Sequence, residues 1–160
     1  MATLENLEKN FENPHYLFLT RHPEAAIESM MRVQIHPPRP KDTLAQAEQR
    51  WKETNTNVLG FLEAVPDGRW HRFSFEDLMS DTENTLRLIT DFIGVHYYPE
   101  MADAYDGDRM QSGIGCVNLS KRERVERELG EVWKHTKLPQ RLGPETSDLA
   151  SRLGYQVPLV

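Results

Sequence analysis

A single cysteine, Cys116, excludes an internal disulfide and leaves no thiolate cluster for a metal, which fits a reducing, cytoplasmic setting. Long apolar runs are missing too. No stretch approaches the roughly 20 residues that cross a bilayer. Residues 1–10 mix apolar with acidic side chains, without a basic region before an apolar core, so no secretory signal is predicted. Positive charge is scarce: 19 Lys and Arg stand against 25 Asp and Glu, a net charge of -6. That balance argues against a general nucleic-acid binder living on counterion release, so any anion site must be local. The six histidines, His15, His22, His36, His71, His96 and His135, show neither metal-ligand spacing nor a nucleophile partner, and no metal is expected. Repeats and low-complexity tracts are absent. What remains, with 38% hydrophobic residues over 160 positions, is one soluble domain, 1–160.

The stretch from Tyr16 to Ser29 organises this domain. Tyr16-Leu17-Phe18-Leu19 is too short for a helix and rich in strand formers, so it reads as an interior strand. Pro23 suits the first turn of a following helix, whose apolar stripe is Ala25, Ala26, Ile27, Met30 and Val33. Arg21 then lies at the strand's carboxyl end and Ser29 two turns into the helix, at the edge where α/β sheets bind ligands. The arrangement suits a phosphate clamp.

Around it, Leu4, Leu7 and Phe11 predict a short amphipathic helix over 3–11. Pro37, Pro38 and Pro40 enforce a loop. Asp42 or Thr43 caps the longest helix, marked by Leu44, Ala47, Trp51, Val58, Leu62 and Val65. Pro66-Asp67-Gly68 is turn chemistry, and the alternation in Trp70–Phe75 predicts a second strand, after which Glu76–Met79 turns the chain away. A strand, helices and a strand form a crossover of the kind that pairs in parallel. Asp81 caps a helix whose apolar set is Thr85, Leu86, Leu88, Ile89, Phe92 and Ile93, stopped by Gly94. A short helix is expected over Pro99–Tyr105, a polar glycine-rich loop over Asp106–Gly115, a solvated charged helix face over 119–129, and a last helix over Thr146–Leu153. Trp133 and Leu138 are expected to anchor the segment between.

Two roles compete for Arg21 on local sequence: a bidentate grip on phosphate, aided by Ser29 and the helix amino end, or a surface ion pair with Glu24 or Glu28. Arg109 faces the same choice, with Asp106 and Asp108 as neutralising neighbours and the loop's glycines favouring ligand contact. His22 reads as a local hydrogen bonder rather than a base, and Glu76-Asp77 as helix-capping rather than an acid-base pair. Among the aromatic residues, Trp51, Trp70, Phe73 and Phe92 read as core, with Phe75 the exception that faces a ligand.

From near residue 14 to the end the chain resembles the carboxyl-terminal part of the sulfotransferases that use 3′-phosphoadenosine 5′-phosphosulfate (PAPS). Leu17–Pro23 followed by Ser29 is similar to their 3′-phosphate motif, and Arg72–Leu78 to their Tyr-Glu-Asp-Leu segment. Leu86–Gly94 resembles their Phe-Leu-Gly helix ending. Gly107-Asp108-Arg109-Met110 and the run from Trp133-Lys134 to Gly154-Tyr155 look most like sulfotransferase domains of bacterial polyketide assembly lines. The resemblance implies an α/β fold with a small, mainly parallel sheet flanked by helices, and sulfuryl transfer from PAPS to an alcohol on a small molecule. It implies donor contacts at Arg21, Ser29, Phe75, Arg109 and Met110. Phe75 stands where the family has Tyr, keeping an apolar contact with adenine and losing a hydroxyl. The family's amino-terminal third, with its phosphosulfate loop and a catalytic histidine, has no counterpart here, and no Gly-x-x-x-x-Gly-Lys loop occurs. Three expectations follow: a partner chain or second copy completing the site, a remnant that binds nucleotide without turnover, or an interaction module. An exposed apolar strip where the missing unit packs would favour association.

Overall fold

A computed structural model of the chain describes residues 5–32, 35–36, 40–103, 105, 115–116 and 124–157. The element order begins α1 (Glu5–Asn10), β1 (Tyr16–Thr20), α2 (Pro23–Arg32), β2 (Ile35–His36), α3 (Leu44–Leu62) and β3 (Trp70–Ser74). It continues through α4 (Phe75–Ser80), α5 (Thr82–Ile93), β4 (Gly115–Cys116) and α6 (Pro144–Arg152), with 3₁₀ segments at Pro99–Ala102 and Arg127–His135. β1 and β3 pair in parallel, from Tyr16↔Trp70 to Thr20↔Ser74, as the crossover reading requires. The result is an α/β fold with a small parallel sheet flanked by helices.

Strand alternation separates the two faces of this sheet. Tyr16, Phe18 and Trp70 turn toward a core built with Ile27 of α2, Ala47 and Trp51 of α3, and Leu149 and Ala150 of α6. Leu17 and Leu19 face the other way and stay 45% and 49% exposed. α1 is tied across the strand ends, where Glu8 accepts a hydrogen bond from the Tyr16 hydroxyl and pairs with Arg69 at 2.7 Å.

Local signals explain most of the helix ends. Thr43, not Asp42, caps α3 in a reciprocal capping box with Gln46. Asp81 caps α5 through the Asn84 amide, and Gly94 ends it in the left-handed region at φ 73°. The last helix starts at Pro144, in the first-turn position proline favours, rather than at Thr146.

Elsewhere the structure differs from expectation. Glu76–Met79 does not simply turn the chain away but lies inside α4, because Ser74 accepts the Asp77 amide at 2.9 Å and nucleates a helix there. Leu88 and Ile93, grouped with the buried face of α5, are 51% and 41% exposed, since Thr85, Ile89 and Thr90 take the inner positions. The expected helix at 99–105 is a single 3₁₀ turn. Of the charged segment 119–129, residues 127–129 open the 3₁₀ segment, and 119–123 lie outside the described residues. That segment packs so closely on α4 that a Cβ at Gly130 would lie 2.8 Å from the Met79 Cβ and 3.2 Å from the Glu76 carbonyl. The two expected loop regions are joined by a two-residue antiparallel ladder, Ile35↔Cys116 and His36↔Gly115, too short to leave a sequence pattern.

Candidate functional site

The parallel register brings the two sequence-predicted positions Arg21 and Phe75 together. Thr20 and Ser74 are the last paired residues of β1 and β3, so Arg21 and Phe75 emerge side by side at the carboxyl end of the sheet. The Arg21 guanidinium carbon stands 4.4 Å from the centroid of the Phe75 ring, a cation–π contact. Phe75 is the first residue of α4 and Arg21 precedes the first turn of α2, so both side chains spring from the ends of regular elements.

Ser29 is half-buried on α2, and Glu28, proposed as one surface counterion for Arg21, pairs with Arg32 at 3.0 Å. From Pro23 to Ser29 the helix rises by about 9 Å, and side-chain bonds tilt back toward its amino end. Arg109 and Met110 lie outside the described residues.

Behind Arg21 the structure assembles a polar cluster that sequence reasoning missed. His22, 2% exposed, donates its amide N–H to Glu76 Oε1 at 3.0 Å, and its ring stacks on Trp133 with centroids 4.5 Å apart. His22 Nε2 lies 3.3 Å from the Gln156 carbonyl, which fixes the tautomer with hydrogen on Nε2. Burial lowers the His22 pKa, against the opposing effects of the Gln156 carbonyl, Glu24 and Glu76, and so favours the neutral ring. The Tyr155 hydroxyl lies 2.9 Å from Thr20 Oγ1 and 3.3 Å from Glu76 Oε2, and burial pushes the phenol well above its usual range. Glu76 thereby ties the β1–α2 turn to the carboxyl-terminal segment, rather than capping a helix or acting as an acid-base partner of Asp77. The only local signal for this role was Ser74-x-x-Asp77, which sets the start of α4 and so aims Glu76. His22, read from its neighbours as a local hydrogen bonder, instead bonds across the fold, to Glu76 through its amide and to Gln156 through its ring.

A cleft of about 450 Å³ opens beside this cluster, lined by Thr20, His22, Arg72, Ser74, Trp133 and Tyr155. A larger groove of about 930 Å³ runs between α2, α4 and the 3₁₀ segment and carries charges of both signs, among them Glu28, Asp77, Arg127 and Lys134. Neither is lined by Arg21 or Phe75. Among the described residues no group of His, Cys, Asp and Glu could hold a metal ion, and no helix is long and apolar enough to cross a membrane.

This strand-to-helix turn, with its arginine at the carboxyl end of the parallel strands, lies at the edge where open α/β sheets bind ligands. A profile described as "Sulfotransferase family" matches residues 1–100, and the chain belongs to that family. Among solved structures it is similar to the "Sulfotransferase Domain from the Curacin Biosynthetic Pathway", with 34% identity and a TM-score of 0.87 over 97% of this chain. It is also similar to the "Sulfotransferase Domain from the Synechococcus PCC 7002 Olefin Synthase", with 32% identity and a TM-score of 0.85, again over 97% of this chain. These matches bear out the expected likeness to assembly-line sulfotransferases. The chain spans 58% and 54% of those two chains, just over half. No curated protein matches it.

Proposed function

We propose that the chain forms the 3′-phosphate and adenosine side of a PAPS site in one sulfotransferase-like domain, 1–160, serving sulfuryl transfer to an alcohol on a small molecule in the cytoplasm. The observation that carries this reading is Arg21 stacked over Phe75 at the carboxyl end of β1, just before the amino end of α2. A stacked guanidinium keeps its N–H donors in its own plane, the plane in which a phosphate is gripped bidentately. Ser29 adds a hydroxyl from that helix, and Arg109 and Met110 are assigned to donor binding by family resemblance. PAPS supplies the activated sulfuryl group. This chain's residues bind and orient the donor, while the base that takes the acceptor proton and the grip on the 5′-phosphosulfate come from another polypeptide segment or a second copy.

A second observation favours that completion. Parallel sheets are covered on both faces, yet here Leu17 and Leu19 leave one face of β1 half open. An interaction role therefore accompanies the nucleotide role.

Calorimetry with adenosine 3′,5′-bisphosphate tests the donor reading. Wild-type chain is expected to bind, and Arg21→Ala to weaken binding by roughly 10- to 100-fold, the loss of a charged hydrogen-bond partner. Absence of wild-type binding sinks the reading. Turnover by the chain alone, in a transfer assay with PAPS, would refute the need for completion.

A further inference from the structure

We infer that Phe75 is a positioning residue for Arg21, holding the guanidinium plane for the 3′-phosphate instead of offering this ring face to adenine; the inference rests on the donor-site reading above. The ring face toward Arg21 is already used, since the guanidinium carbon lies 4.4 Å from its centroid. Two independent restraints hold the backbone that carries the ring. Ser74 caps α4 through the Asp77 amide at 2.9 Å, and α4 is wedged against the 3₁₀ segment at Gly130, where no Cβ would fit. Thr20↔Ser74 pairing fixes the backbone on the other side of the contact. The ring thus offers a face on which a long, rotamer-rich side chain is oriented. Phenylalanine suffices for this role, because stacking uses the face of the ring and not a hydroxyl. The substitution that looked like a loss at an adenine contact leaves the arginine platform intact.

The two roles differ in which part of the nucleotide they serve. Calorimetry on the full chain compares adenosine 3′,5′-bisphosphate with adenosine 5′-monophosphate, which shares adenine and lacks the 3′-phosphate. Wild type is expected to prefer the bisphosphate. Phe75→Leu should shrink that preference by roughly 3- to 30-fold, the range of a cation–π contact, with the monophosphate affinity little changed. Phe75→Tyr should restore the preference. If Phe75→Leu keeps the preference, or weakens both nucleotides by one common factor, the positioning role is overturned. A wild type without preference overturns the donor-site reading itself, a different result. Should Phe75→Leu not fold, NMR of the wild type decides: ring-current upfield shifts are expected on the Arg21 side-chain protons, and unshifted protons overturn the assignment.

Discussion

His22 stands next to the proposed phosphate-binding arginine, yet burial decides its chemistry. Its ring is stacked on Trp133 and met edge-on by Tyr155, and a proton added there would be poorly solvated. The folded pKa is therefore lowered from the ordinary 6.5, while the unfolded chain keeps that value. Between the two values the unfolded state binds a proton that the native state refuses, so the native state loses stability as pH falls through 6.5 toward the folded value. Thermal melts should show Tm falling over this range, and His22→Phe should flatten the dependence while lowering Tm at neutral pH through the lost Gln156 hydrogen bond. An unchanged slope in that variant would show that His22 is not the titrating group. Arg21, by contrast, was legible as a candidate from its place after a strand. Its stacking partner was not, because Phe75 lies 54 positions away and only pairing in register brings the two together.

Among elements, α4 is the one that sequence reasoning read as a mere turn, and it does the most to shape the site. It carries Phe75 on its first residue and Glu76 on its second, and the 3₁₀ segment locks it from outside. Gly130→Ala would push a methyl group against the Met79 Cβ and the Glu76 carbonyl, and backbone cannot yield as a flexible side-chain tip can. Overpacking of this kind costs about 1–3 kcal/mol. Denaturant titration should show that loss, and nucleotide affinity should fall with it if α4 shifts. No change in midpoint would mean that the segment gives way freely. The helices α3 and α5 were legible because their caps are encoded locally, in Thr43 with Gln46 and in Asp81 with Gly94. The 3₁₀ segment was not, since its alternating charges suit any solvated helix and its conformation comes from contact with α4.

At the scale of the whole molecule, one face of the sheet is covered by the core and the other only in part, where Phe92 of α5 meets His71 with ring centroids 5.5 Å apart. The exposed pair Leu17 and Leu19 belongs to a strand that local pattern marked as interior, and interior strands carry apolar residues on both faces. Leu17→Ser with Leu19→Ser should reduce self-association in sedimentation velocity and change thermal stability little, because surface substitutions fall within about 0.5 kcal/mol. If association persists unchanged, this face is not the adhesive one. A large drop in stability would instead show that the two leucines are held in the chain's own core.

By itself the sequence determined the order of helices and strands, the capped helix ends and the arginine after the first strand, because each rests on contacts within a few residues. It also marked β1 as a strand meant for burial on both sides. Only the tertiary structure decided what Arg21 touches, why burial favours the neutral form of His22, and which leucines of β1 stay exposed. Those depend on strand register and on packing between residues 54 and 134 positions apart, separations over which residue spacing carries no information.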